Sequence, residues 1–279
     1  MIFTNENLFL IVLGLVWIIG AVLQDLHRRE VDNLWNFSLI AIALGYRAVV
    51  SVFVGDYWFL LNGLIGFGIF LLLGNLFYYS RVFAGGDVKL VIALGAILAL
   101  SYDWIVNLKI FGLFIGLFLL GGSIYVFIWS LFLVVINWKR FSKEFAKQVK
   151  FYKTLFLIFL IVVVVLSGIS FFIGWEFSLI VLVFLLFPFL FVFAKSVEES
   201  CMVKEISPEK LTEGDWLYED IFINGKKIKK NWEGVSRKEL DLIKRKYRRK
   251  IFVKYGIPFT PGFLIGFVGI LVLSWYGWF

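Results

Sequence analysis

The chain has 279 residues, of which 61% are hydrophobic and 20% aromatic, with a mean hydropathy of +0.90 and a formal net charge of +8. A globular domain is nearer half apolar, so this composition points to an all-α, multi-pass membrane protein. A single cysteine, Cys201, excludes an internal disulfide, and a single histidine, His27, excludes multi-histidine zinc sites. No metal or other cofactor is expected, and carboxylates are left as the acid–base groups if the chain is hydrolytic.

About 20 apolar residues cross the hydrocarbon core as a helix. Eight such runs are present, at roughly 7–24, 34–54, 57–79, 87–105, 108–136, 154–174, 175–194 and 258–279. The sixth and seventh are joined by a tight turn near Gly174. The first has neither a basic start nor a small-residue cleavage site, so it reads as a span rather than a signal peptide.

Lys and Arg placement sets the orientation. With the N-terminus outside, 26 of the 28 basic residues fall on the inner side, the exceptions being Arg47 and Lys109. The net positive charge therefore needs no nucleic-acid partner, and a multi-pass plasma-membrane location is implied. Arg47 lies within the second run, where a charge needs a partner or a wet cavity.

Hydropathy falls between Lys195 and Tyr255, where charges of both signs appear. The stretches LTEGDWLYED and INGKKIKKNW read as short extended pieces around a turn at Asn224-Gly225. Ser236 and Glu239 form a capping-box pattern ahead of a basic helix. The basic cluster at 244–250 is able to attract anionic lipid headgroups or simply to be solvated. The expected organisation is a transmembrane helical domain over 1–194, a small cytoplasmic α/β insertion over 195–257 and a last transmembrane helix over 258–279.

Two acids stand where apolar runs meet basic loops. Asp25 lies in QDLHRREVDN and Asp87 in AGGDVKL. On this topology both lie at the cytoplasmic face. A carboxylate near the membrane core is costly, and two close together share a proton more readily than both ionise. Ala84, Gly85 and Gly86 precede Asp87. The glycines permit tight turns and the close approach of another chain, while Asp87 also suits a plain helix cap. Asp25, beside His27, Arg28, Arg29 and Glu30, also suits a surface ion pair. Lys89 stands two residues beyond Asp87 and on a helix points away from it. Glu30 and Asp32 are placed to attract a basic peptide or to be solvated, and Asn33 to bond substrate backbone or to cap the second helix.

The stretch DLHRREVDN resembles the D-x-x-x-R-x-[IV]-x-N stretch of type IV prepilin peptidases, with Asp25, Arg29, Val31 and Asn33 on its fixed positions. AGGDVKL resembles their G-x-G-D-x-K stretch, with Asp87 and Lys89 matching and Ala84 replacing the first glycine. KYGIPFTPGFLIGF, from Lys254 to Phe267, is similar to the C-terminal part of the archaeal branch, the prearchaellin (preflagellin) peptidases. The resemblance implies a GxGD-type membrane aspartic protease with Asp25 and Asp87 as its catalytic pair. It implies substrates that carry a short basic leader ahead of a hydrophobic helix, cut at the cytoplasmic face before assembly into archaella or pili. The paired CxxC motifs of many bacterial members are absent, and nothing supports their methyl-transfer activity. The competing reading, a proton- or cation-coupled transporter, calls for acids near the bilayer midplane in broken helices; here both acids stand at the ends of apolar runs.

Overall fold

Thr4 opens the first helix, its Oγ1 accepting the Asn7 N–H as an N-cap. The computed structural model describes residues 2–83, 85–174, 183–184, 186–223, 225–231 and 233–278. The chain divides into two units, one of Met1–Ile128 with Ile257–Phe279 and the other of Trp129–Gly256.

The first unit is a helical bundle of α1 (Asn5–Arg28), α2 (Asn33–Val54), α3 (Trp58–Tyr79), α4 (Gly85–Leu98), the first part of α5 (Trp104–Ile136) and α10 (Pro261–Trp275). Helix α4 is its centre, with residues 90 to 98 buried except at Ile92. Helices α3 and α4 meet through glycines, since a Cβ on Gly66 would lie 2.5 Å from the Gly95 carbonyl oxygen. Small residues at such contacts let backbones approach closely, the usual basis of helix association in lipid. Helices α1 and α2 are pinned by Trp17 and Trp35. Their rings stack 5.0 Å apart, and each indole N–H donates to the other residue's carbonyl, at 3.0 and 2.9 Å.

Among the described residues five helices, α1, α2, α3, α5 and α7 (Lys153–Ile173), are long and apolar enough to cross a membrane, against eight expected crossings. The fourth run yields a helix of 14 residues and the last a helix of 15. At 1.5 Å per residue these are about 21 and 22 Å long, short of a hydrocarbon core of about 30 Å. Hydropathy does not show where a helix stops inside an apolar run. Here α4 stops because its end is met by polar side chains. Arg47, fully buried on α2, donates to the carbonyls of Ala96 (2.9 Å), Ile97 (3.2 Å), Ala99 (2.7 Å) and, on α3, Phe59 (2.8 Å). Asn7 meets the Leu100 carbonyl, and Asn107 meets both the N–H and the C=O of Ser101. Non-helical backbone at this depth persists only when its polar groups are satisfied in this way. The partner that the sequence left open for Arg47 is the C-terminal end of α4. In the seventh run, residues 175–182 and 185 lie outside the described residues, and so does the turn expected after Gly174.

The second unit holds the rest of α5, α6 (Trp138–Phe151), α7, α8 (Leu186–Ser200), α9 (Arg237–Lys246) and five short strands. Strands β1 (Val203–Ile206), β5 (Ile251–Lys254) and β2 (Trp216–Leu217) form an antiparallel sheet in the order β1-β5-β2. Strands β3 (Ile221–Ile223) and β4 (Lys226–Ile228) form a hairpin with Ile221 opposite Ile228 and Gly225 at φ 80°. Asn224 of the expected turn lies outside the described residues. The expected capping box forms, with Glu239 Oε2 accepting the Ser236 N–H at 3.0 Å. The basic stretch at 139–153, between the fifth and sixth apolar runs, is mostly helical. Its helix, α6, turns Phe141 and Phe145 toward Phe193, Val197 and Cys201 and leaves its lysines exposed.

Candidate active site

Both motif aspartates lie at the same end of the bundle, where α1 ends, α2 begins, α4 begins and α10 begins. Asp25 occupies the last turn of α1 and is buried. Arg29 closes that helix in the left-handed conformation, φ 60°, with its N–H donating to the Asp25 carbonyl at 2.8 Å. Gln24 Oε1 accepts the Asp32 N–H at 3.0 Å, which folds the connection back toward α2. Val31 is buried, while Glu30 and Asp32 are exposed and Asp32 forms a surface pair with Arg28 at 3.8 Å. His27 lies exposed in the last turn of α1.

Asp87 is the third residue of α4 and half-buried. Helix α1 packs on α4, and Asn36 and Asn33 at the start of α2 bond the Gly86 carbonyl and Lys89 at the start of α4. Two sequence-distant carboxylates thus stand at one bundle end. Gly85 and Gly86 form the first turn of α4, and neither has positive φ. A Cβ on Gly86 would find Val31 N at 3.6 Å, ordinary contact, and one on Gly85 would meet only Tyr78, at 4.0 Å. Of the two readings, a tight turn or the start of a helix, the structure has the helix start, and both glycines border space. Ala84 lies outside the described residues. Lys89 turns away from Asp87, and its Nζ donates to Asn33 Oδ1.

Two contributors were not assigned from the sequence. Thr260, fully buried, donates to Asp25 Oδ2 twice, from its N–H at 3.2 Å and from Oγ1 at 2.8 Å. The signal was present, because a Thr directly before a Pro is a helix-start pattern and the tail segment already carried the resemblance. Asn36, fully buried on α2, donates from Nδ2 to the Gly86 carbonyl at 3.4 Å, and its Oδ1 has no partner among the described residues. Asn36 stands three residues beyond the recognised stretch, in a run read only for its apolarity.

A hydrogen bond to a charged acceptor contributes about 1.5–3 kcal/mol, and the partial charge of a helix terminus about 0.3–1 kcal/mol. The two Thr260 donors therefore outweigh the unfavourable position of Asp25 at the C-terminal end of its own helix. Among the described residues no group of three or more His, Cys, Asp or Glu side chains gathers.

Fold and site together define a multi-pass helical membrane protein with two motif acids at one end of its bundle. Residues 12–138, which contain both acids, match the type IV leader peptidase family. The chain is 34% identical over 87 residues to a preflagellin peptidase of Methanococcus maripaludis and 28% identical over 87 residues to one of Methanocaldococcus jannaschii. Each alignment covers 31% of this chain and 37% of the relative, so the chain spans little more than a third of the relatives it matches. No solved structure matches it. The resemblance seen in the motifs thus holds for residues 12–138 and points to the archaeal branch. The second unit beyond Trp138, and Thr260, lie outside the matched segment.

Proposed function

We propose that this protein is a membrane aspartic endopeptidase that removes the short basic leader from prearchaellin or pilin-like precursors. The observation that supports this reading is the placement of Asp25 and Asp87 at one end of the bundle. They come from two separate motifs on helices that pack against each other, and both lie within the segment that matches a leader peptidase family. Two carboxylates in a low-dielectric site share one proton. The charged one takes a proton from a water molecule as the water oxygen bonds to the scissile carbonyl carbon. The protonated one donates to the carbonyl oxygen, giving a neutral diol. Collapse then returns a diol proton to the second carboxylate, passes the first carboxylate's proton to the leaving nitrogen and breaks the C–N bond. Water is the only co-reactant.

The remaining assignments rest on the same reading. The asymmetry of basic residues supports an outer N-terminus and a cytoplasmic site. Helices α4 and α10 complete the bundle within the bilayer, toward the expected eight crossings. The open space beside Gly85 and Gly86 suits an extended peptide lying against the start of α4. Asn33, Lys89 and Arg29 shape the connection around the pair, and exposed Glu30 faces the basic leader. Residues 195–257 form a cytoplasmic domain whose 244–250 cluster lies toward anionic lipid.

The test is cleavage of a leader-bearing precursor by the purified full-length protein, with no other protein present. Asp25→Asn and Asp87→Asn are each expected to abolish cleavage while the protein is still made and inserted. Wild-type processing by either variant would refute the paired mechanism.

A further inference from the structure

The tail segment reaches the acid pair through one residue. Thr260 directly precedes Pro261, the first residue of α10, and its hydroxyl makes no capping bond to its own helix. A threonine at that position ordinarily caps the orphan amides of its helix. Here both its N–H and its Oγ1 are directed at Asp25 Oδ2. Glycine contacts fix where α10 begins. A Cβ on Gly262 would lie 2.8 Å from Gly122 Cα on α5, and one on Gly266 would lie 2.6 Å from Phe118 Cβ. The Phe118 and Phe263 rings stack 4.9 Å apart at 11°. With backbone against backbone and ring against ring, α10 has little freedom to slide, and the two donors are held in place before any substrate arrives.

Both bonds fall on a single carboxylate oxygen. The side chain is thereby fixed in one rotamer with Oδ2 occupied, and Oδ1 is left for proton transfer. Donors aimed at a carboxylate favour its charged form. Asp87, the other acid of the pair, has no comparable donors among the described residues. Resting on the reading of Asp25 and Asp87 as the catalytic pair, we propose that Thr260 is a positioning residue. It holds Asp25 as the charged member, whose Oδ1 takes the proton of the attacking water, so that Asp87 keeps the shared proton and gives it to the carbonyl oxygen. The assignment breaks the symmetry of the pair, and it does so with a residue outside the segment that matches the leader peptidase family.

The test uses the purified full-length protein in lipid and a synthetic leader-bearing substrate, with kcat and KM measured separately. Thr260→Val keeps the shape of the side chain and removes one donor. It is expected to lower kcat about tenfold, the loss of one charge-assisted hydrogen bond, with KM changed less than about twofold. Thr260→Ser restores the donor and is expected to retain most of the wild-type kcat. Should valine not be accommodated, Thr260→Ala serves in the same comparison with serine. A wild-type kcat in the variant lacking the hydroxyl overturns the proposal. So does a serine variant impaired as deeply as the valine one, because packing rather than the donor would then be responsible. Asp25→Asn, run in parallel, separates the two levels. If it cleaves, the catalytic-pair reading itself falls; if it is silent while Thr260→Val is fully active, only the role of Thr260 falls.

Discussion

Lys89 Nζ donates to Asn33 Oδ1 at 2.5 Å, tying the first turns of α4 and α2 to each other. The two stretches that flank the aspartates in sequence are thus bound through a pair that touches neither acid. A helical residue two beyond Asp87 lies on a different face, which frees Lys89 to reach across. The bond fixes the start of α4 against the α1–α2 connection, and with it the approach of Asp87 to Asp25. Asn33→Ala and Lys89→Met are each expected to lower kcat/KM for leader cleavage by about tenfold, the scale of one charge-assisted hydrogen bond. Because they break the same bond, the double variant is expected to be no worse than either single one. Losses that multiply in the double-mutant cycle would show that the two residues act separately.

Gly86→Ala separates a structural glycine from one that leaves room for substrate. The backbone at Gly86 is helical, and an added methyl group would make only ordinary contact with Val31. Alanine in a helix is favoured over glycine by about 0.5–1 kcal/mol, so the variant is expected to be at least as stable as the wild type. Its cleavage of a leader-bearing substrate is expected to fall, mainly through a higher KM, because the methyl group enters the space where an extended peptide lies. Unchanged kinetics would mean that substrate does not approach this turn.

Arg47 is the bond that makes a short α4 tolerable. Its guanidinium meets four carbonyls and lies 4.7 Å from the Phe59 ring centroid. Arg47→Met leaves those oxygens without donors in an apolar surround, at about 1–3 kcal/mol for each one left unmet. A stability loss of about 3 kcal/mol or more is expected in detergent unfolding, with Arg47→Lys intermediate because an ammonium lacks the planar fork. Gly63→Ala should give a related loss, since its Cβ would lie 2.3 Å from Arg47 Cδ. A stable Arg47→Met protein would mean that the end of α4 finds other donors.

Much of this architecture was readable from residue pattern, and the parts that were not have a common cause. Apolar runs of about 20 residues reported α1, α2 and α3 directly, and the Ser236–Glu239 pattern reported the cap of α9. The motifs identified Asp25 and Asp87, but no local pattern states that the ends of α1 and α4 meet. Helix α4 was overextended because Leu98 to Ser101 remain apolar or neutral while leaving the helix. What ends it is Arg47, about fifty positions earlier in the chain. Thr260 escaped for the same reason, since its hydroxyl serves a carboxylate at the opposite end of the sequence. Strands β1 and β5 carry too few residues for an alternating pattern to register, and they become strands by pairing, β5 with both β1 and β2.

The second unit carries its own acid-sensitive joint, where α8 meets the sheet. Lys254 on β5 bonds Glu198 Oε1 at 2.6 Å, Lys195 bonds Glu198 at 3.0 Å and Glu199 at 3.2 Å, and the Tyr218 hydroxyl donates to Glu199 at 2.7 Å. Partial burial alone would raise both glutamates. The bonds from Lys254 and Lys195 to Glu198, and from Tyr218 and Lys195 to Glu199, outweigh it and hold both below the usual carboxylate range. A carboxylate depressed in the folded state adds stability that is complete above its unfolded value, about 4.3 for Glu, and is lost as pH falls through the folded one. Hydrogen-exchange protection at the Tyr255 N–H, which bonds the Met202 carbonyl, is therefore expected to be constant from about pH 7 to 5 and to drop below about pH 4. Lys254→Met should lower that protection already at neutral pH and flatten its response to acid. The same acid response in that variant would place its origin elsewhere in the unit.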